Sequence, residues 1–407
     1  MRRGYLSEYF DGVAIKNLSR VDITAKSNQH EFGTIEEMRN FLGIPVGKEF
    51  LPTRFIYLGD ESDDSVVEDG DLTYYDVRAN NPNRPAEYRC YYQTNRVTQL
   101  ADEGDQMVLA KRRDGGLLLI IAAKGSSAAG QLRWMLGFAD IEAPGFSVRA
   151  NLETEGDRVG FAATFILENL GVEVEREEPA YLDLMLNRFG QKFPSTKVFS
   201  EFARSTLNDI DPREDPDGTL MLWMDREEVL FRTLEKHFVG DWLRHSFTGE
   251  VEDFMQKSLS VQNRRKSRAG SALEGHLAKV FDALGILYST QGRTENNAKP
   301  DFLFPGHAEY HDEAFTSESL NMLGVKTTCK DRWRQVLSEA NRIPAKHLLT
   351  LESAISTNQT DEMAAWNLTL VVPTSLQESY TVGQRSRLWS VRNFTDMVSS
   401  KQRLSRR

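Results

Sequence analysis

The sequence predicts two domains of different class: a mostly β N-terminal half of barrel or sandwich type, and an α/β C-terminal half. Three observations carry this. Short β-branched or aromatic segments separated by turn residues crowd the first ~170 residues. From about residue 178 apolar residues take helical spacing. Beyond Ser271, strand-like and helical segments alternate, which is the pattern of a sheet covered by helices. The 407 residues exceed an ordinary single domain. The charged stretch Glu173–Pro179 is unlikely to pack, so the expected division is 1–172, a linker at 173–180, and 181–407.

In the first domain, Phe50–Leu58, Leu72–Val77, Tyr88–Thr94 and Met107–Lys111 read as strands, and Leu117–Ala123 reads as a buried one after Gly115-Gly116. The glycine loop Gly125–Gly130 runs into Gln131-Leu132 where a phosphate-binding loop needs Lys-Ser/Thr, so no nucleotide site is expected there. In the second domain, Tyr181–Leu186, Val198–Leu207, Met221–Phe238 and Val251–Ser260 have helical spacing, and the prolines and aspartates of Asp209–Gly218 mark a loop. Ser271–Gly285 predicts a helix with Leu273, Leu277, Val280, Phe281 and Leu284 on one face. On that reading Glu274 is a first-turn carboxylate favoured by the helix dipole.

Composition narrows the function. Hydrophobic residues make up 40% and charged residues 27%, as in ordinary globular proteins. The longest apolar run, Leu117–Ala123, is far short of the ~20 residues of a spanning helix. Acidic Glu8 and Asp11 stand where a signal peptide would be apolar, so a cytoplasmic protein is expected. Two cysteines, Cys90 and Cys329, cannot build a Cys-rich zinc site, and a disulfide between them is the weaker reading. The net charge of −10 argues against nonspecific coating of nucleic acid. Charge is segregated, however, with acids from Asp60 to Asp76 and a basic run Arg264-Arg265-Lys266-Ser267-Arg268 suited to clamping phosphate.

The chemistry lies between Asn263 and Glu339. Lys299-Pro300-Asp301 leads into the strand-like Phe302–Phe304, and Met322–Lys330 reads as a second strand. There Lys326 sits among apolar neighbours, a costly place for an ammonium without a partner or a task. Hydrolysing a phosphodiester needs carboxylates for a hard cation and a group that positions water. Asp301 and Lys326 have the spacing of the PD-(D/E)xK nuclease core, except that Gly324 stands where an acid normally precedes the lysine by two positions. Glu339, on the helix that follows, can return that carboxylate through space. His307 and His311 with Asp312 offer a transition-metal alternative, against which Pro305-Gly306 suggests a loop.

The segments Asn263–Gly270, Lys299–Pro305, Val325–Gln335, Tyr310-His311-Asp312 and Leu370–Pro373 together resemble the catalytic domain of the EcoRII-type type II restriction endonucleases. The resemblance implies Glu274, Asp301 and Glu339 as acids of a Mg²⁺ site, Lys326 as the catalytic lysine, and the displaced glutamate as that family's variant. It implies Lys330, Asp331 and Arg332 as readers of a CC(A/T)GG-like site in double-stranded DNA, with Arg264, Arg265 and Arg268 beside it on phosphate. A homodimer and a cognate DNA methyltransferase in the same system follow from it as well. More weakly, the N-terminal half resembles the family's effector-DNA-binding β-pseudobarrel, with Arg78, Arg84, Glu87 and Arg89 as DNA contacts. The competing expectations are a DNA-binding protein without cleavage and a repair nuclease of low specificity.

Overall fold

The computed structural model describes residues 4–23, 30–59, 65–81, 83–138, 145–245, 251–329 and 332–405. The chain divides into two compact units, Met1–Glu173 with Ser353–Ser356, and Val174–Glu352 with Thr357–Arg407.

The first unit is built on one eight-stranded sheet. Its strands are β1 (Phe10–Asn17), β2 (Glu31–Gly33), β3 (Lys48–Leu58), β4 (Val66–Asp76), β5 (Tyr88–Tyr92), β6 (Gln106–Arg112), β7 (Leu117–Ala122) and β8 (Ser147–Arg149), in the order β2-β5-β4-β3-β7-β6-β1-β8. The apolar β7 is buried at every residue and lies centrally, parallel to β3 and antiparallel to β6. The sheet curls until its edges meet across the core, where Phe32 on β2 and Phe146 beside β8 bring their rings to 5.7 Å. This is the barrel-like architecture expected. Three strands escape the sequence reading, β1, β2 and β8, two of them only three residues long.

The second unit carries a mixed five-stranded sheet, β9 (Ser289–Thr290), β10 (Phe302–Phe304), β11 (Asn321–Lys326), β12 (Lys346–Thr350) and β13 (Leu368–Val371), in the order β13-β12-β11-β10-β9. The last three strands run parallel and the first two pair antiparallel. The helices that matter are α1 (Leu182–Phe189), α2 (Thr196–Ser205), α3 (Pro216–His245), α4 (Val251–Ala283), α5 (Trp333–Leu337) and α6 (Val391–Ser405). Phe281 on α4 packs edge-to-face on Phe302 and Phe304 at 5.2 and 5.3 Å and meets Phe394 on α6 at 6.4 Å, which seats both helices on β10. Among the described residues no helix is long and apolar enough to cross a membrane.

Two expectations change here. The helix predicted over Ser271–Gly285 is the last part of α4, which begins at Val251. Glu274 is therefore more than twenty residues from the helix start, and the dipole explanation for it fails because that field fades within a turn. The basic run lies in mid-helix rather than at a solvated end. Arg268 is 6% exposed, its guanidinium facing Glu227 and Glu228 of α3 and stacked 4.1 Å from the Phe231 ring centroid. Arg265 pairs with Glu235 at 2.6 Å, and Arg264 lies over Phe193 at 4.4 Å. The phosphate-clamp reading is corrected for Arg268, whose charge is spent holding two helices together. The Lys266 side chain lies outside the described residues.

Candidate active site

The site grows from the pairing of β10 with β11. Phe302 opposes Leu323, which brings Asp301 beside the end of β11. Its Oδ2 accepts a hydrogen bond from the Val325 amide at 2.7 Å and from Lys326 Nζ at 3.1 Å. The ammonium that is costly in an apolar strand thus has a carboxylate partner in a half-buried place. Asp301 is only 8% exposed.

Gly324 explains why the second strand acid is absent. A Cβ built there would meet Val336 Cγ2 at 2.9 Å and Leu348 Cδ1 at 3.5 Å. Helix α5 presses on the strand at the spot where an acidic side chain would begin. One turn beyond Val336 the chain delivers Glu339, whose amide bonds back to the Val336 carbonyl at 3.2 Å. Gly324→Ala should therefore lower stability by about 1–3 kcal/mol through overpacking. Chemical denaturation checks this, and an unchanged midpoint would refute the contact.

The carboxylates feel one another. Burial and the charge of Asp301 push the Glu339 carboxyl up to about 7, against the opposing pull of Lys326 and Lys346. Burial and Asp301 also raise Glu274, with Lys326 opposing. Glu339 Oε2 is buried with no hydrogen-bond partner among the described residues. Crowded carboxyls with an orphaned oxygen fit a hard divalent cation. Among the described residues no three His, Cys, Asp or Glu side chains already enclose one point.

The raised Glu339 carboxyl has a stability consequence. An ordinary glutamate loses its proton near 4.5, whereas the fold retains it to about 7. The metal-free fold is thus progressively destabilised as pH climbs through that window. Glu339→Gln should stabilise the metal-free protein at pH 8 by on the order of 2 kcal/mol, after allowance for partial exposure, and leave it unchanged near pH 4. Denaturation at both pH values decides, and equal effects would remove Glu339 from the acidic cluster.

The other candidates fall into place unevenly. Lys330 and Asp331 lie outside the described residues. Arg332 is exposed and donates to Thr328 Oγ1 at 3.0 Å. His307 and His311 stand on a short helix, and each directs Nε2 at the Arg293 carbonyl, at 3.1 and 2.9 Å, rather than at a shared metal position. In the first unit Arg78 pairs with Glu87, while Arg89 pairs with Glu87 at 2.6 Å and Glu31 at 3.1 Å. Arg84 alone of the four is exposed with no side-chain partner among the described residues. Cys90 and Cys329 are both buried and free.

Sequence reasoning missed several supporting groups. Lys346, 7% exposed at the start of β12, donates to backbone carbonyls beneath Glu339. Glu295 accepts from the Asn341 amide at 3.1 Å, and Glu352 Oε2 accepts from the Cys329 amide at 2.5 Å beyond the end of β11. The signal that singled out Lys326, a lysine in an apolar strand, was equally present in Lys346-His-Leu-Leu-Thr350.

Known proteins resemble parts of this chain. Residues 231–395 match the family described as EcoRII C terminal. The type II restriction enzyme EcoRII of Escherichia coli is 43% identical over 209 residues, 50% of this chain and 50% of that protein. The type II restriction enzyme SsoII of Shigella sonnei is 29% identical over 162 residues, 37% of this chain and 50% of that protein. The chain thus spans about half the length of the curated relatives it matches. Among solved structures, metal-depleted Ecl18kI in complex with uncleaved DNA is 21% identical and covers 56% of this chain and 85% of its own, with a TM-score of 0.43. The PspGI–substrate DNA complex is 18% identical and covers 51% and 93%, with a TM-score of 0.42. The residues that match the EcoRII C-terminal family, 231–395, are those among which the candidate acids and the lysine lie.

Proposed function

We propose that the protein is a type II restriction endonuclease that makes Mg²⁺-dependent double-strand cuts at a CC(A/T)GG-like site. The observation that supports this most directly is the Asp301–Lys326 ion pair at 3.1 Å, with the raised carboxyls of Glu274 and Glu339 under the charge of the same aspartate. The 43% identity to a named restriction enzyme supports it independently.

In this reading Asp301, Glu339 and Glu274 hold the divalent ion. Once bound, the ion supplies positive charge against the charge that develops on the phosphodiester in the transition state. Lys326 does the rest from the protein side. Held by Asp301, its ammonium orients the attacking water and donates to a non-bridging phosphate oxygen. The water oxygen bonds to phosphorus, the bond to the 3′-oxygen breaks, and the ends carry 5′-phosphate and 3′-hydroxyl. Two strands need two active sites, which a homodimer provides. Residues 1–172 bind a second, effector copy of the site, and Arg84, exposed and without a side-chain partner among the described residues, is the candidate contact there. A methyltransferase of the same specificity protects the host's own sites.

Digestion of a mapped phage DNA with Mg²⁺, followed by sequencing of the ends, tests the proposal. Unique termini at CC(A/T)GG support it. Scattered termini mean a nuclease of low specificity, and binding without cleavage means a protein that has lost the chemistry.

Arg332, Lys330 and Asp331 are the proposed readers of that site. Arg332 can donate twice to guanine O6 and N7, and Asp331 can accept from cytosine N4. Arg332→Ala should cost about 1–3 kcal/mol of discrimination at one guanine position. Competition binding against single-base variants measures it, and an unchanged preference at every guanine moves the readout elsewhere.

A further inference from the structure

A carboxylate delivered by a strand inherits the rigidity of the sheet, but Glu339 comes from an irregular turn after α5. Something has to hold that turn still. The next residue, Ala340, has φ +49°, a left-handed conformation that a side chain adopts only when its surroundings impose it. Three groups impose it. The Ala340 amide donates to Thr294 Oγ1 at 3.4 Å, and the Asn341 amide donates to Glu295 Oε2 at 3.1 Å. Glu295 is itself fixed by the Tyr310 hydroxyl at 2.6 Å. From the opposite side Lys346 Nζ reaches the carbonyls of Glu339, Ala340 at 3.0 Å and Ile343 at 3.0 Å. An ammonium has three donors, and here all three point at one turn.

Lys346 is also the first residue of β12, which pairs in parallel register with β11, so that Leu323 opposes His347 and Lys326 opposes Thr350. The turn is thereby tied to the strand beside the one that carries Lys326. We propose that Lys346 is a positioning residue for the acidic site, its ammonium fixing the turn from which Glu339 reaches Asp301. The inference rests on the reading of Asp301, Glu274 and Glu339 as a divalent-cation site. It adds that the displaced glutamate works only with a second, non-catalytic lysine beneath it.

The test is Lys346→Met, which keeps length and apolar bulk and removes every donor. Mn²⁺ titrated into the full-length protein and followed by electron paramagnetic resonance should show affinity weakened roughly 10–100-fold, the usual effect of losing a group that orients a ligand. The Mg²⁺ concentration that half-saturates cleavage should rise in parallel. Exchange of the Ala340 and Asn341 amides should quicken. A lysine with a merely structural role would lower the melting temperature and leave both metal dependences where they are. A folded Lys346→Met protein with wild-type Mn²⁺ affinity overturns the proposal. If Lys346→Met does not fold, Glu295→Gln loosens the same turn from its other side. Weakened Mn²⁺ binding by that variant supports the proposal, and unchanged binding overturns it. Asp301→Asn and Glu339→Gln separate the two levels of the argument. If neither weakens Mn²⁺ binding, the site reading itself has failed. If both do and Lys346→Met does not, only the role of Lys346 has.

Discussion

Lys326→Ala is expected to abolish cleavage, with a loss of ~3 kcal/mol or more in transition-state stabilisation, at least a 150-fold drop in rate. The geometry makes this specific to chemistry. Lys326 is the cation that Asp301 holds at 3.1 Å, and the Val325 amide keeps Asp301 in place after the ammonium is gone. Removing the positive charge leaves Asp301, Glu274 and Glu339 to repel one another, so the metal-free variant should also be less stable at pH 8. A non-catalytic divalent ion such as Ca²⁺ should restore that stability. Binding of duplex DNA in Ca²⁺ should stay close to wild type. Single-turnover cleavage beside a gel-shift titration separates the two effects, and near-normal turnover would end the assignment of Lys326.

The second large effect is on stability. Arg268→Met should cost about 3–5 kcal/mol, because it leaves Glu227 buried on α3 without a cation and Glu228 with Arg232 alone. Glu227 is fully buried and Glu228 nearly so. Burial alone would raise the Glu228 carboxyl, but Arg268 and Arg232 hold it down at about 2. Glu227 keeps only His276, which stands 3.0 Å away without hydrogen-bond alignment. Burial lowers His276 below its ordinary range, and its Nδ1 faces Arg204 Nη1 at 2.8 Å, so it is a poor substitute for the arginine. The sign with pH follows. A depressed carboxyl stabilises the fold above its unfolded value of 4.5, and that contribution fades as pH falls toward 2. Arg268→Met should therefore be most damaging at pH 7 and less so at pH 4, where Glu228, left with Arg232 alone, takes up a proton more readily. Denaturation at the two pH values checks this. A triple variant with Glu227→Leu and Glu228→Leu should regain much of the loss, since what hurts is an unpaired buried charge and not a missing contact.

Much of this was legible in local patterns. The apolar run Leu117–Ala123 is a fully buried central strand, and the apolar frames around Asp301 and Lys326 are the strands β10 and β11. What stayed hidden depended on partners far along the chain. A basic run reads the same whether it meets solvent or acids on a neighbouring helix, and Glu227, Glu228 and Glu235 stand 30 to 41 residues before the arginines they pair with. The ends of α4 were legible as two helical segments, Val251–Ser260 and Ser271–Gly285, but the polar, basic stretch between them has no apolar stripe to show that the helix runs on. Lys346 went unread although it too stands in an apolar strand, because the three carbonyls it holds lie in a turn that no motif marks. Gly324 was legible as a departure, yet its cause, the methyl groups of Val336, exists only after α5 has docked.

That contact also constrains history. A strand carboxylate at position 324 and a valine at position 336 crowd each other, since the new Cβ would lie 2.9 Å from Val336 Cγ2 unless one of them shifted. A lineage moving the acid from the strand to the turn had to gain the glutamate at 339 before the bulk at 336 could close over a bared strand. A lineage moving back would have to shrink residue 336 first and pass through a loosened helix contact. Residues 324 and 336 are therefore coupled through one contact, and a side chain at 324 is accommodated only with a smaller residue at 336 or a shifted α5.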